Sequence, residues 1–169
     1  MTARLAALWM LMACLTGYLG GCGFHLRGNM AMPAAMSVTY IQSEQHYSTL
    51  TRDFRTAFRA YDMSVTDERS LATAVLRVLG NQIEQAVLSV NTAGKVQEYE
   101  IRQTLTFSVT TRDNAPLIDE QTVTLSRAYV FSSSDVLGKQ REDRVLRESL
   151  QRDLVNLALL RISAAAKAL

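Results

Sequence analysis

Three long segments that alternate at period two, between residues 74 and 131, constrain this chain more than any other feature of it. A strand turns successive side chains to opposite faces, so alternation of apolar and polar residues gives one buried face and one wet face. Ala74 to Val90 is rich in Val and Leu, with Gly80 marking a bulge or bend. From Tyr99 the pattern is clean. Tyr99, Ile101, Leu105, Phe107 and Val109 face one way, and Glu100, Arg102, Thr104, Thr106, Ser108 and Thr110 face the other. Val123, Leu125, Tyr129 and Phe131 then oppose Thr122, Thr124, Ser126 and Ala128. Asn91-Thr92-Ala93-Gly94-Lys95 makes a hairpin loop with Gly94 available for a left-handed position, and Arg112 to Pro116 makes a second turn. The outer face is polar yet uncharged over long stretches. It suits a solvent-facing sheet or a polar protein wall equally well.

The amino-terminal stretch is of another kind. Arg4 precedes an apolar run from Leu5 to Tyr18, broken only by Thr16 and Gly17. That is a positive n-region and an h-region of secretory length, too short for the roughly 20 apolar residues that a membrane-spanning helix needs. Leu19-Gly20-Gly21-Cys22 then reads as a lipobox: small residues let a peptidase grip the extended backbone, and the Cys22 thiol takes a thioether-linked diacylglycerol. We therefore expect residues 1–21 to be a lipoprotein signal peptide and residues 22–35 a lipidated tether. A single domain follows over residues 36–169, and the only attached groups are the N-acyl and S-diacylglycerol at Cys22. Gly23 stands where Asp would retain such a lipoprotein. By resemblance to lipoprotein sorting in didermal bacteria, this implies the outer membrane.

Helical periodicity frames the strands. A short strand is predicted from Ser37 to Ile41. Ser48 is the N-cap of a helix running to about Tyr61, whose Leu50, Phe54, Ala57, Phe58 and Tyr61 form a core stripe. After a loop from Ser132 to Gly138, a helix is predicted from about Lys139 to Lys167. Its stripe is Leu146, Leu150, Leu154, Leu157 and Ala164, widened by Ala158, Leu159, Leu160 and Ile162. At roughly 43 Å this helix is expected to outrun the strands and to pack partly on something else. The fold class is α+β: a four-stranded sheet with two helices packed against it, in the order β-α-β-β-β-α. That order brings Lys95, Lys139 and Arg141 to the hairpin end of the domain. With the usual crossover, the tether enters from the other end.

Composition excludes several functions. Lys and Arg total 18 against 16 acids, and Arg4 leaves with the leader, so the mature chain is near neutral and unsuited to nucleic acid. Cys14 lies in the leader and Cys22 is acylated, which leaves no thiol for a disulfide. His25 and His46 have no partners at metal-ligand spacing, so no metal site is expected. Neither histidine has a Ser or Asp partner at motif spacing and no G-x-S-x-G occurs, so there are no catalytic candidates. The chain is not expected to be an enzyme.

Gly21-Cys22-Gly23-Phe24-His25-Leu26-Arg27 after a lipoprotein leader closely resembles the start of the LptE family of lipopolysaccharide-assembly lipoproteins. Glu98-Tyr99-Glu100 after a Gly-containing hairpin, the aromatic strand end at Tyr129–Phe131 and the basic start of the final helix are similar to that family too. The resemblance implies a non-enzymatic plug inside the outer-membrane β-barrel LptD, one to one, that supports its assembly. It also implies a part in moving lipopolysaccharide to the outer leaflet. Cationic donors for lipopolysaccharide phosphates are then required. Lys139 corresponds by position to a basic residue of the family, although Asp135, Glu142 and Asp143 could make it a plain surface pair. Lys95 and Arg141 share its end. Where some members carry Arg in the hairpin turn, this chain has Asn91 and Thr92, which leaves Lys95 as a substitute. Phe24 sits beside the lipid and can dip into the membrane interface. Arg27 meets acidic headgroups or packs on the barrel or the export receptor. The alternative is an outer-membrane lipid-binding or scaffold lipoprotein that works without a barrel partner.

Overall fold

The structure, a computed structural model, describes residues 32–44, 48–131 and 136–166. The expected signal peptide, Cys22, Phe24, His25, Arg27 and His46 lie outside the described residues, as does the Lys139 side chain.

A short 3-10 turn, Ala34–Met36, leads into β1 (Val38–Gln42). Helix α1 (Thr49–Arg59) follows, then β2 (Ser64–Thr66). After a second 3-10 turn, Arg69–Leu71, come β3 (Ala74–Val90), β4 (Val96–Thr111) and β5 (Pro116–Val130). Helix α2 (Val136–Ala166) closes the fold.

Among the described residues the sheet has five strands in the order β2-β1-β3-β4-β5, which corrects the expected four. The extra strand, β2, pairs in parallel with β1, from Val38 opposite Ser64 to Tyr40 opposite Thr66. Three residues are too few to show a period, and only the βαβ crossover of β1 and α1 recruits them. β1 also pairs in parallel with the first residues of β3, from Thr39 opposite Ala74 to Gln42 opposite Arg77. β3, β4 and β5 form an antiparallel meander. The described chain thus begins at the end of the sheet opposite the Asn91–Lys95 hairpin.

Both faces follow from the alternation. Ile101, Leu105, Phe107 and Val109 of β4 are fully buried against the helices, with Ile118 and Val123 of β5 beside them. Bulges complicate the long strands. Val78 pairs with Phe107 and Gly80 with Thr106, so Leu79 is an extra residue and reverses the face of everything after it. Above that bulge Asn81, Ile83, Gln85 and Val87 lie on the helix side. A second shift, between Val87 and Ser89, leaves Leu88 without an opposite residue.

α1 begins as predicted. The Ser48 hydroxyl accepts from the Thr51 amide at 3.2 Å, an N-cap bond that satisfies one of the first-turn donors. The helix stops at Arg59, two residues before the expected end, because Asp62 takes a left-handed φ of 57°. Its Phe54 and Phe58 are fully buried and stack at 6.1 Å.

Helix α2 differs more. It starts at Val136, inside the expected loop, and at 31 residues spans about 46 Å. The 17 residues of β3 reach about 56 Å, so the helix does not outrun the sheet. Its buried stripe is Leu150, Leu154, Val155, Ala158, Leu159 and Ile162, whereas Leu146 and Leu157 are half-buried and Ala164 and Leu160 are exposed. The stripe bends round because α2 meets the sheet along one line and α1 along another. Gln151 donates to Asp53 of α1 at 2.5 Å and accepts weakly from Thr49 at 3.5 Å. Arg127 of β5 pairs with Asp153 on the sheet side.

Candidate functional site

Two surfaces answer to the expectations: the hairpin end of the domain and the bare face of the sheet. At the hairpin end, Asn91 organises the turn. Its Oδ1 accepts from the Ala93 and Lys95 amides, both at 3.0 Å, and its own amide donates to the Lys95 carbonyl at 2.8 Å. Gly94 takes a φ of 74°, which an L side chain rarely adopts. Asn91 therefore builds the turn that presents Lys95, whose side chain is exposed.

Below the hairpin lies an aromatic cluster. Tyr99 stacks on Tyr129 at 5.8 Å and meets Phe131 edge-on at 5.4 Å. The Phe131 amide donates to the Gln97 carbonyl at 2.7 Å, which carries the ladder one residue past β5 and leads the chain to the start of α2. Lys95 on the hairpin and Arg141 on the first turns of α2 therefore belong to the same end of the domain. Arg141 is exposed, with Arg144 beside it. The backbone of Lys139 lies in the same first turns.

A closed circuit of side chains fixes α2 here. The Tyr129 hydroxyl bonds to the Asp143 carboxylate and lies 3.2 Å from Gln85 Nε2, which donates to it. Arg147 donates to Gln85 Oε1 at 2.7 Å and holds both Asp143 oxygens, at 2.7 and 3.2 Å. Burial of the phenol raises the Tyr129 pKa above its usual value, and the nearby Asp143 charge and hydrogen bond push it further up. The sequence singled out Tyr129 but not Gln85, Asp143 and Arg147 as a unit. An Asp-x-x-x-Arg pair on a helix is a common surface feature, and the Leu79 bulge decides that Gln85 faces it.

The bare face carries what the alternation promised. Thr104 and Thr124 share a hydroxyl hydrogen bond at 3.0 Å, and Thr106 and Thr122 share one at 3.2 Å, each pair directly opposite across β4 and β5. Ser89 donates to Glu98 at 2.7 Å, and Arg102 pairs with Glu100 at 2.8 Å. Both helices lie on the other face.

A groove of about 260 Å³ between α1 and α2 is lined by Asp53, Thr56, Ala57, Ala60, Arg152, Val155 and Asn156. Its Thr56 hydroxyl donates to the Arg52 carbonyl at 3.0 Å and its Asp53 carboxylate accepts from Gln151, so the two are not set against each other as nucleophile and base. No group of His, Cys, Asp and Glu among the described residues is placed to hold a metal, and none of their helices is long and apolar enough to cross a membrane.

Comparison with known proteins gives this geometry its relatives. The family model for LptE, lipopolysaccharide-assembly, matches residues 36–162. The LPS-assembly lipoprotein LptE of Pectobacterium atrosepticum is 31% identical over 134 residues, which covers 78% of this chain and 71% of that protein. Among solved structures, an uncharacterized lipoprotein B from Nitrosomonas europaea superposes with a TM-score of 0.72 at 25% identity, covering 86% of this chain and 94% of that one. The rare lipoprotein B from Shewanella oneidensis shares the fold at a TM-score of 0.63 and 24% identity, covering 78% and 96%. A family match that runs from the turn before β1 almost to the end of α2 takes in every strand and both helices, and the chain belongs to the LptE family of lipopolysaccharide-assembly proteins.

Proposed function

We propose that this protein is an outer-membrane lipoprotein, acylated at Cys22 after removal of residues 1–21, that sits as a plug inside the LptD β-barrel. It supports assembly of that barrel and takes part in moving lipopolysaccharide to the outer leaflet. The observation that carries the reading is the open, hydroxyl-rich sheet face with its Thr104–Thr124 and Thr106–Thr122 pairs. A water-lined barrel lumen presents polar side chains. Neutral hydroxyls meet such a wall, giving or accepting hydrogen bonds, without the cost of stripping a charge of its water. The relatives' names point to the same pathway.

In this reading the hairpin end is where lipopolysaccharide is met. Lys95, Arg141 and Lys139 supply cations for its phosphates, and Lys95 does from the edge of the turn what an arginine within the turn does in other members. Arg27 and Phe24 lie next to the acylated residue and reinforce the anchor at the membrane interface. No step of this function transforms a substrate.

The test is depletion of the protein in cells, followed by assay of surface lipopolysaccharide and of correctly folded barrel. Loss of both is expected, together with a complex with the barrel that survives detergent extraction. Unchanged surface lipopolysaccharide, or a chain recovered only as a free monomer, would favour a lipid-binding scaffold instead.

A further inference from the structure

β3 has a partner on one side only for most of its length. On the side away from β4, β1 pairs with Ala74 to Arg77 and ends at Gln42. From Gly80 to Val90 no described strand lies alongside, and Asn81 to Leu88 are all exposed. An open edge is a row of unpaired backbone donors and acceptors, and proteins ordinarily blunt it with lysine, proline or several charges. The outer edge strand, β5, follows that practice with Pro116, Asp119, Glu120 and Arg127. The upper half of β3 does not. Gly80 to Val90 contains no Lys, Arg or Pro, and Glu84 is its single charge. Ile83 and Val87 stand on its helix side, 45% and 52% exposed. A bare ladder with alternate apolar side chains has the form of a half-built strand pair.

We propose that an extended segment of the barrel partner docks along β3 from Gly80 to Val90 as a sixth strand, starting beside the pocket that Ser43, Glu44 and Ser48 line with Gly80 and Asn81. The inference rests on the plug reading and adds to it a place and a mode of attachment. The wall strands of a closed barrel are already paired on both sides, so the segment comes from a loop folded into the lumen. Its chemistry follows from β3: apolar residues beside Ile83 and Val87, and a neutral or basic residue opposite Glu84. A second copy of this chain fits less well. Two-fold antiparallel pairing about the middle of this stretch sets the two Glu84 carboxylates diagonally on one face, with no base in the stretch to offset them.

The experiment is hydrogen exchange on the full chain, free and in the detergent-solubilised barrel complex. A photo-crosslinking residue at Ile83 and the variant Ile83→Lys accompany it. Strand addition protects the alternate amides of Gly80–Val90 that point away from β4. It also gives a crosslink from position 83 to a barrel loop, and lysine at 83 speeds dissociation of the complex by about tenfold or more. A complex in which those amides exchange as in the free chain overturns the docking mode and leaves the plug reading standing. No complex at all removes both. Protection of the same amides in the free chain, rising with its concentration, assigns the edge to a second copy and overturns the proposal.

Discussion

Arg147 on α2 donates to Gln85 on β3 at 2.7 Å across 62 residues of sequence. This bond links the last helix to the far side of the meander, over the top of β4. Through Asp143 and Tyr129 the same circuit returns to β5. Three separate parts of the chain are thereby held at the hairpin end, where α2 begins.

The pair is expected to be coupled. Arg147→Ala and Gln85→Ala should each destabilise the fold by about 1 kcal/mol, the net value of a hydrogen bond in a partly exposed site. In a double-mutant cycle the combined loss should fall short of the sum by about 0.5 kcal/mol or more. Urea unfolding of the four proteins measures it, and strict additivity would show that the contact contributes nothing.

Tyr129 makes stability depend on pH at the alkaline end. Its folded pKa is raised, by burial first and then by Asp143, so the folded state holds the phenolic proton more tightly than the unfolded chain does. The resulting stabilisation is complete below the ordinary tyrosine pKa of about 10 and is lost as pH rises through the higher folded value. Thermal melts of the wild type should fall more steeply above about pH 10 than melts of Tyr129→Phe. Parallel curves would refute the assignment.

The corrected stripe of α2 can be read by truncation. Leu154 is fully buried between sheet and α1, and Leu154→Ala should cost about 2–5 kcal/mol. Leu160 is 45% exposed, and Leu160→Ala should stay within about 0.5 kcal/mol of wild type. Equal losses in denaturant titrations would mean that the helix is rotated from the orientation described.

Asn91→Ala removes the oxygen that accepts two turn amides. The expected loss is about 1 kcal/mol, felt locally as faster exchange of the Ala93 and Lys95 amides. Gly94→Ala, placed at a left-handed φ, should weaken the same turn by strain instead. Amide exchange by NMR separates the two, since the glycine variant keeps the Asn91 bonds.

Much of the architecture is legible in the sequence. Period-two patterning over Tyr99–Val109 assigned the apolar side chains to the helix face, although not the buried Gln103 among them, and Ser48 announced its helix. Both are local signals, carried by neighbours in sequence. β2 was not legible, because Ser64–Thr66 has no period of its own and becomes a strand only when the crossover lays it beside β1. The start of α2 is hidden for a related reason: Ser132, Ser133 and Ser134 have the composition of a loop, and local pattern alone sets the boundary after Val136.

What the sequence determined by itself was the set of residues able to bury a face and the order in which strands and helices come, because hydrophobic alternation and capping act over a few residues. The expectation of a leader and of an acylated Cys22 likewise rests on spelling alone. Tertiary structure decided the rest. A single extra residue at Leu79 reverses every later side chain of β3, which sends Gln85 toward Arg147 and leaves Ile83 and Val87 on the helix side. No periodicity announces that reversal, because a bulge is chosen by the register in which β3 and β4 pack best together, and that choice exists only once both strands are in place.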